Sequence, residues 1–352
     1  MKKIFILISL LLLLFSFGCN KDEGNNNGEK EELKLADYYP IQENTRYYYK
    51  GDGNEFAEYS SFIDYTLDNR FQTRVDNPGT SVAKIYELKD GVLKVLLNKG
   101  ETYHREDYLR NPTLAGELSD DILIQEPLEK GNTWTLANGN KREITGTDVK
   151  VTVPYGEYEA IEVTTTDVNG ITKDYYAKDV GLVQSKYIAG TDEISSSLEK
   201  VEKNTPYRTH VNFYYPNLDK DKYYYLTSTV SFNTNDITRQ VLETAYKNNY
   251  TEGMKNLGIG NVLTTNTKIK SLFLDRFETV HIDLNGAFIT EMNAGAYYET
   301  MLLTSIVNTF GSYYGREKVI LTIDGSNYSS GHIYLQKGEF LKTDYSKEIK
   351  LN

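Results

Sequence analysis

Apolar and polar residues alternate along the first half of the chain, from residue 38 to about residue 190. Such alternation places Tyr59, Ser61, Ile63, Tyr65 and Leu67 on one face. A period of two residues is that of a β-strand with one buried face. Asp90-Gly91 and Asn169-Gly170 each separate two such runs, and both dipeptides favour tight hairpin turns. The pattern therefore predicts an antiparallel all-β domain over 38–200, a sandwich or a half-barrel, with a helix only around 105–118.

The periodicity changes beyond residue 206. Residues 236–250 and 296–313 repeat apolar residues at intervals of three and four, which is the spacing of an amphipathic helix. Strands are predicted at 211–215, 223–229, 268–274, 278–285 and 319–323. Strands mixed with two main helices predict an α/β or α+β domain over 207–345, with the helices on a small mixed sheet. The polar stretch 190–206 is predicted to link the two domains.

The first residues have a different pattern. Two lysines precede an apolar run over 4–17, which is shorter than the ~20 residues of a membrane-spanning helix. A glycine and Cys19 follow, and this arrangement resembles the lipobox of bacterial lipoproteins, although Ser16 stands where that pattern prefers leucine. The resemblance implies a signal peptide over 1–18, an acylated Cys19 thiol and a flexible tether over 19–37. An ordinary secretory signal with an incidental cysteine is the alternative.

The charge of the chain limits its partners. Its 352 residues carry a formal net charge of −11, and the loss of residues 1–18, with two lysines and no acidic residue, changes this to −13. So acidic a protein repels phosphate backbones and anionic headgroups, and we expect no nucleic-acid partner. Membrane attachment would come from the lipid on Cys19. Because Cys19 is the only cysteine, no disulfide can form within the chain.

The sequence shows no set of residues with the spacing of a catalytic or metal site. The four histidines form no H-x-x-x-H or H-x-H pair, and neither G-x-S-x-G nor a phosphate-binding glycine motif occurs. Asn217, Asp219 and Asp221 have the spacing that opens a calcium loop, but the glycine and glutamate of that loop are missing, which favours a hairpin turn. Asp283 and Asp324 are interpreted as caps of strand ends and turns. We therefore expect that the protein has no enzymatic activity and binds neither a metal nor a cofactor.

Three segments of the second half resemble GerMN domains. Residues 280–288 have the sequence VHIDLNGAF and resemble the family's central strand. Residues 303–310 have the sequence LTSIVNTF and resemble its signature helix, and 318–325 resemble the strand and turn that follow. The similarity extends over roughly 207–330. It implies a non-catalytic module of the cell envelope, of the kind found in sporulation and germination lipoproteins of Gram-positive bacteria.

The first half is similar to a β-rich domain of bacterial surface lipoproteins. The similarity rests on Gly131-Asn132-Thr133-Trp134, on Pro154-Tyr155-Gly156, and on the sequence YYAKDVGLV at 175–183. This resemblance implies a fold and says little about activity.

The leading hypothesis is a lipid-anchored envelope protein without enzymatic activity, which binds another envelope protein or peptidoglycan. The predicted helix over 296–313 would pack Met301, Leu302, Ile306 and Phe310 on the sheet. Its opposite face, with Thr300, Thr304 and Asn308, would be exposed to a partner. The alternative role of Asn308 is to brace a neighbouring loop.

The competing hypothesis is a lipoprotein that carries a hydrophobic ligand inside the β-rich domain. A pocket of several hundred Å³, lined by residues such as Ile63, Tyr65 and Val151, would favour the carrier. A closed interior of the sheet would favour the leading hypothesis, in which the protein binds another envelope component.

Overall fold

The structure is a computed structural model, and it describes residues 33–116 and 119–351. The signal peptide, Cys19 and most of the tether that the sequence predicts lie outside these residues. From Leu33 onward the chain forms one compact unit.

The first part of the chain is a 12-stranded antiparallel sheet with two short helices. In chain order its elements are α1 (Leu35–Tyr38), β1 (Arg46–Asp52), β2 (Tyr59–Leu67), β3 (Arg70–Asp76), β4 (Ser81–Lys89), β5 (Val92–Lys99), α2 (Pro112–Ala115), β6 (Asp121–Gln125), β7 (Thr133–Thr135), β8 (Lys141–Val153), β9 (Gly156–Thr166), β10 (Ile171–Ala177), β11 (Gly181–Ala189) and β12 (Asp192–Glu202). Both predicted hairpin turns are confirmed, because Asp90-Gly91 joins β4 to β5 and Asn169-Gly170 joins β9 to β10.

The strands follow the order β6-β5-β4-β3-β2-β1-β12-β11-β10-β9-β8-β7, and the sheet curls until its two ends meet. Trp134 on β7 donates its indole N–H to the carbonyl oxygen of Ile122 on β6, at 3.0 Å. Arg142 on β8 donates to the same oxygen. One of its apolar cores packs against this seam and includes Ile124 from β6 and Ile144 from β8. The first part is therefore a single curled antiparallel sheet, which confirms the predicted all-β class.

Two sequence predictions fail in this part. The helix predicted around 105–118 is reduced to the four residues of α2. The stretch 190–206 is not a linker over most of its length, because β12 pairs with both β1 and β11. Its many serines and charged residues give it the composition of a linker, but they occupy the polar positions of strand β12. Only residues 203–206 separate the large sheet from the second part, and the independent folding of 38–200 and 207–345 stays a prediction.

The second part has two small sheets and four helices. Its elements are β13 (Tyr207–Asn217), β14 (Lys222–Phe232), α3 (Thr238–Asn248), α4 (Glu252–Asn256), β15 (Ile269–Leu274), β16 (Val280–Leu284), α5 (Ala287–Glu291), α6 (Ala296–Tyr314), β17 (Lys318–Ile323), β18 (Ser326–Asn327), β19 (Leu341–Lys342) and β20 (Glu348–Lys350). The hairpin of β13 and β14 takes β20 as a parallel third strand. The other sheet has the order β15-β16-β17-β18, with β16 and β17 parallel and β19 beside β17.

Helix α6 lies between these two sheets, which explains why most of its surface is buried. Leu302, Ile306 and Phe310 share a core with β16 and β17, as predicted. Met301 instead packs on Tyr214 and Tyr223 of the β13–β14 hairpin. The helix ends at a glycine in the left-handed conformation, Gly315 with φ of 64°, which suits a residue without a Cβ.

Candidate functional site: a cavity walled by tyrosines

A cavity of about 370 Å³ lies inside the curled sheet. Nine aromatic side chains line it: Tyr39, Tyr47, Tyr49, Phe56, Tyr59, Phe62, Phe71, Tyr86 and Tyr176. Its volume is within the range of small-molecule sites, and aromatic walls are typical of such sites. Ile63 lines it as the carrier hypothesis requires, whereas Tyr65 and Val151 do not. Tyr65 packs under the Arg105 guanidinium, and Val151 belongs to a separate core.

Strand alternation explains which side chains reach this cavity. On β4, Lys84 and Tyr86 are two residues apart and share the inner face. On β10, on another wall of the sheet, Asp174 and Tyr176 have the same relation. One positive and one negative side chain therefore enter the cavity from different strands. Neither residue belongs to a sequence motif that indicates a binding site.

The carboxylate of Asp174 has a single hydrogen-bond donor among the described residues. Ser185, directly opposite on β11, donates its hydroxyl to Asp174 Oδ1 at 2.6 Å. Burial raises the pKa of Asp174, and the Ser185 bond and the nearby Arg142 and Lys84 charges only partly oppose this. The guanidinium of Arg142 is itself occupied by Thr165 Oγ1, at 2.7 Å. The ammonium of Lys84 has no ion pair within 4.0 Å and no hydrogen bond in the described part of the chain.

Several tyrosine hydroxyls converge on the same space. Burial, and then the proximity of other tyrosines, raises the pKa of Tyr39 well above its usual value. Burial followed by the Asp174 charge does the same to the pKa of Tyr176. Tyr49 donates its hydroxyl to the carbonyl oxygen of Leu182 at 2.9 Å. The hydroxyls of Tyr39 and Tyr176 find no partner among the described residues. The cavity thus has apolar ring faces and free polar groups, which together can bind an organic molecule.

A second cluster of buried charges joins the two parts of the chain. Asp64 on β2 lies 3.3 Å from the Arg74 guanidinium and 3.2 Å from that of Arg105, and all three side chains are buried. Arg105 also donates to the carbonyl oxygens of Asp64, at 2.6 Å, and of Asn233, at 3.1 Å. Its guanidinium carbon lies 4.0 Å from the centre of the Tyr65 ring. We call Asp64, Arg74 and Arg105 the junction cluster.

Two titratable residues flank the junction cluster. Burial raises the pKa of Glu106 to about 7, while its carboxylate accepts a hydrogen bond from Leu274 N at 3.2 Å. Burial, and then the charge of Arg74, lower the pKa of His104 to about 3. The His104 ring packs on Tyr314 of α6, with 4.7 Å between ring centres. These contacts make the cluster and its neighbours part of the packing between the two parts.

The predicted partner face of α6 is only partly exposed. Thr300 is exposed and Thr304 is half-buried. The prediction is wrong for Asn308, which is fully buried. Its side-chain amide donates to the carbonyl oxygen of Asp344 at 2.7 Å, and Asp344 N donates back to Asn308 Oδ1 at 2.8 Å. The segment around β19 covers this end of the helix, so Asn308 braces a loop, as the alternative interpretation has it.

The remaining polar motifs have the structural roles that the sequence suggested. Asn217 ends β13 and accepts a hydrogen bond from Lys220 N at 3.0 Å, so the calcium-like segment is a hairpin turn. Asp283 accepts from Gly325 N at 2.8 Å, and Asp324 accepts from Gly286 N at 2.9 Å, which confirms both as caps. In the described residues, no cluster of three metal-ligating side chains occurs. Within that same part of the chain, no helix is long and apolar enough to cross a membrane.

Comparisons with known proteins support the resemblance of the second part. Residues 212–329 match the family model Germane, described as sporulation and spore germination. No curated protein matches the chain. The first GerMN domain of the sporulation protein GerM from Bacillus subtilis is 19% identical, over 38% of this chain and 97% of that one, with a TM-score of 0.28.

Two other solved structures are similar to parts of the chain. A protein described as exported, with a YmcC-like fold, from Bacteroides fragilis is 15% identical, over 47% of this chain and 98% of that one, with a TM-score of 0.28. A protein described as a lipoprotein from Clostridium perfringens is 16% identical, over 39% of this chain and 87% of that one, with a TM-score of 0.26. The family match thus covers residues 212–329, which lie in the second part of this chain.

Proposed function

We propose that this chain is a non-catalytic binding protein of the bacterial cell envelope, anchored by a lipid on Cys19. The observation that carries the proposal is the match of residues 212–329 to the sporulation and spore germination family. The apolar run over 4–17, followed by the only cysteine, supports export and lipid attachment. The partner would be an envelope protein or peptidoglycan.

Membrane fractionation of Cys19→Ala tests the anchor. We expect the unmodified chain in the membrane pellet after a salt wash and the Cys19→Ala protein in the soluble or secreted fraction, because the lipid supplies the attachment. Ser16→Ala is the matched control and should stay in the pellet. Retention of Cys19→Ala in the washed pellet would contradict lipid anchoring.

The exposed start of α6 is the proposed contact for the partner. Thr300 is exposed there, and its hydroxyl donates to the carbonyl oxygen of Ala296. Its contact with a partner would therefore depend on complementary shape more than on hydrogen bonds. Thr304 lies one turn further and is bound to its own helix in the same way. Thr300→Arg should weaken capture of an envelope partner from detergent-solubilised membranes and leave the melting temperature unchanged. Unchanged capture would place the contact elsewhere.

A second candidate function is that of a carrier, and the cavity in the curled sheet favours it. The space is of ligand size and lies between aromatic walls. The two functions are compatible, because the cavity belongs to the first part and the family match to the second.

A further inference from the structure

We infer that the cavity binds a small zwitterion, with the ligand's ammonium group at Asp174 and its acidic group at Lys84. This inference rests on the carrier function proposed above. It concerns the chemistry of the ligand, which the aromatic walls alone do not determine. Two side chains of opposite charge, Lys84 and Asp174, line the cavity.

The two charges are near each other but form no direct ion pair. Lys84 and Asp174 lie on β4 and β10, and no ion pair joins them within 4.0 Å. Away from bulk water, a charge without a close partner costs free energy, so each of these groups favours a ligand group of opposite sign. The other charge near Asp174, that of Arg142, is already paired with Asp121 at 3.3 Å. Among the residues that the structure describes, the unpaired charges facing the cavity are therefore one cation and one anion.

The rings add to the preference for an organic cation near Asp174. Tyr176 is on the same strand face as Asp174, and Tyr59 is close enough for the carboxylate charge to raise its pKa further. Aromatic faces attract ammonium groups, and the attraction grows when water is excluded. A carboxylate flanked by tyrosine rings is thus suited to an ammonium group.

Other ligand classes match less of this surface. A fatty acid could place its carboxylate at Lys84 but would leave Asp174 against an alkyl chain. An uncharged sugar could stack on the rings and bond to hydroxyls but would leave both charges unpaired. A cavity of about 370 Å³ accommodates a molecule of the size of an amino acid or dipeptide. A zwitterion of that size is the class that satisfies both charges at once.

Calorimetric titration of the full chain, purified in a maltoside detergent, tests this inference with a set of matched probes. The zwitterions are glycine, γ-aminobutyrate, 6-aminohexanoate and L-alanyl-L-alanine. Hexanoate and hexylamine each keep one charge of 6-aminohexanoate, and hexanol keeps neither. We expect at least one zwitterion to bind about tenfold or more tightly than hexanoate, hexylamine or hexanol, which is about 1.4 kcal/mol.

Two substitutions should then change which of the six-carbon probes binds best, each toward a different probe. Asp174→Asn should weaken the best zwitterion about tenfold and make hexanoate the better ligand of the six-carbon set. Lys84→Met should weaken the zwitterion similarly and favour hexylamine. Asp192→Asn and Lys150→Met change exposed residues of β12 and β8 and serve as controls. Thermal melting checks that each variant folds, and Ser185→Ala provides a milder change at the same carboxylate.

The outcomes separate this inference from the functions on which it rests. Preferential binding of hexanol or hexanoate by the unmodified chain would overturn the zwitterion and leave an apolar carrier. Binding of a zwitterion that neither Asp174→Asn nor Lys84→Met changes would place its site outside the cavity. An absence of binding by all probes would overturn the inference, whereas the lipid anchor is decided separately by the fractionation of Cys19→Ala.

Discussion

Replacement of Arg105 by methionine tests whether the junction cluster holds the two parts of the chain together. The methionine keeps much of the side-chain volume and removes the guanidinium. Among the described residues, the Asp64 carboxylate then keeps only its 3.3 Å ion pair with Arg74, and the carbonyl oxygens of Asn233 and Asp236 lose a donor. Removal of one partner from a buried ion pair costs about 3–5 kcal/mol. We expect the free energy of unfolding to fall by about that amount.

Urea unfolding measures this change with two probes. Fluorescence of Trp134, the only tryptophan, reports on the curled sheet, and far-ultraviolet circular dichroism reports on the whole chain. Arg70→Met is the matched control, because Arg70 is largely exposed and pairs with Glu87 at 2.8 Å, so its loss should cost no more than about 1 kcal/mol. If the two parts fold independently, the two probes should give separate transitions, most clearly in Arg105→Met. A loss below about 1 kcal/mol in Arg105→Met would refute a structural role for the junction cluster.

The remaining predictions concern α6 and Glu106. Ile306→Ala removes a fully buried side chain between two sheets and should destabilise the protein by about 2–5 kcal/mol; a change below 1 kcal/mol in a melting series would show that this helix is loosely packed. Asn308→Ala should cost about 1–3 kcal/mol, because two backbone groups of Asp344 lose their partner, and normal melting would contradict the bracing role. The folded-state pKa of Glu106, about 7, exceeds its usual value, so the folded protein holds the proton more tightly and stability falls as pH rises from about 4.5 through 7. Glu106→Gln, which removes this titration, should therefore gain roughly 2.5 kcal/mol on the unmodified protein between pH 5 and pH 8, and a constant difference across that range would contradict it.

The elements with a strong local pattern were predictable from the sequence. The bounds of α6 follow from its apolar spacing and from Gly315, and the hairpin at Asp90-Gly91 follows from its turn residues. The burial of Asn308 was not predictable in the same way. Helical spacing assumes one buried face, whereas α6 lies between two sheets and is also covered around β19.

The sites depend on contacts between distant parts of the chain, and that is why sequence patterns missed them. Arg105 binds residues 41 and 128 positions away, and the local spacing of apolar residues does not indicate such distant contacts. Lys84 and Asp174 meet the same cavity only because the 12-stranded sheet curls. Alternation places each on the inner face of its own strand, but it does not show which strands face each other. The polar stretch over 192–202 was misread because a strand with many serines has the composition of a linker.

The mass of the mature N-terminus tests the proposed envelope function most directly. The chain would be expressed in a Gram-positive bacterium, extracted from its membranes, digested, and the N-terminal peptide identified by mass spectrometry. We expect a peptide that begins at Cys19, lacks residues 1–18 and carries the added mass of a diacylglyceryl group on the thiol. A peptide with an unmodified Cys19, or one cleaved at another position, would contradict the lipid-anchored envelope protein.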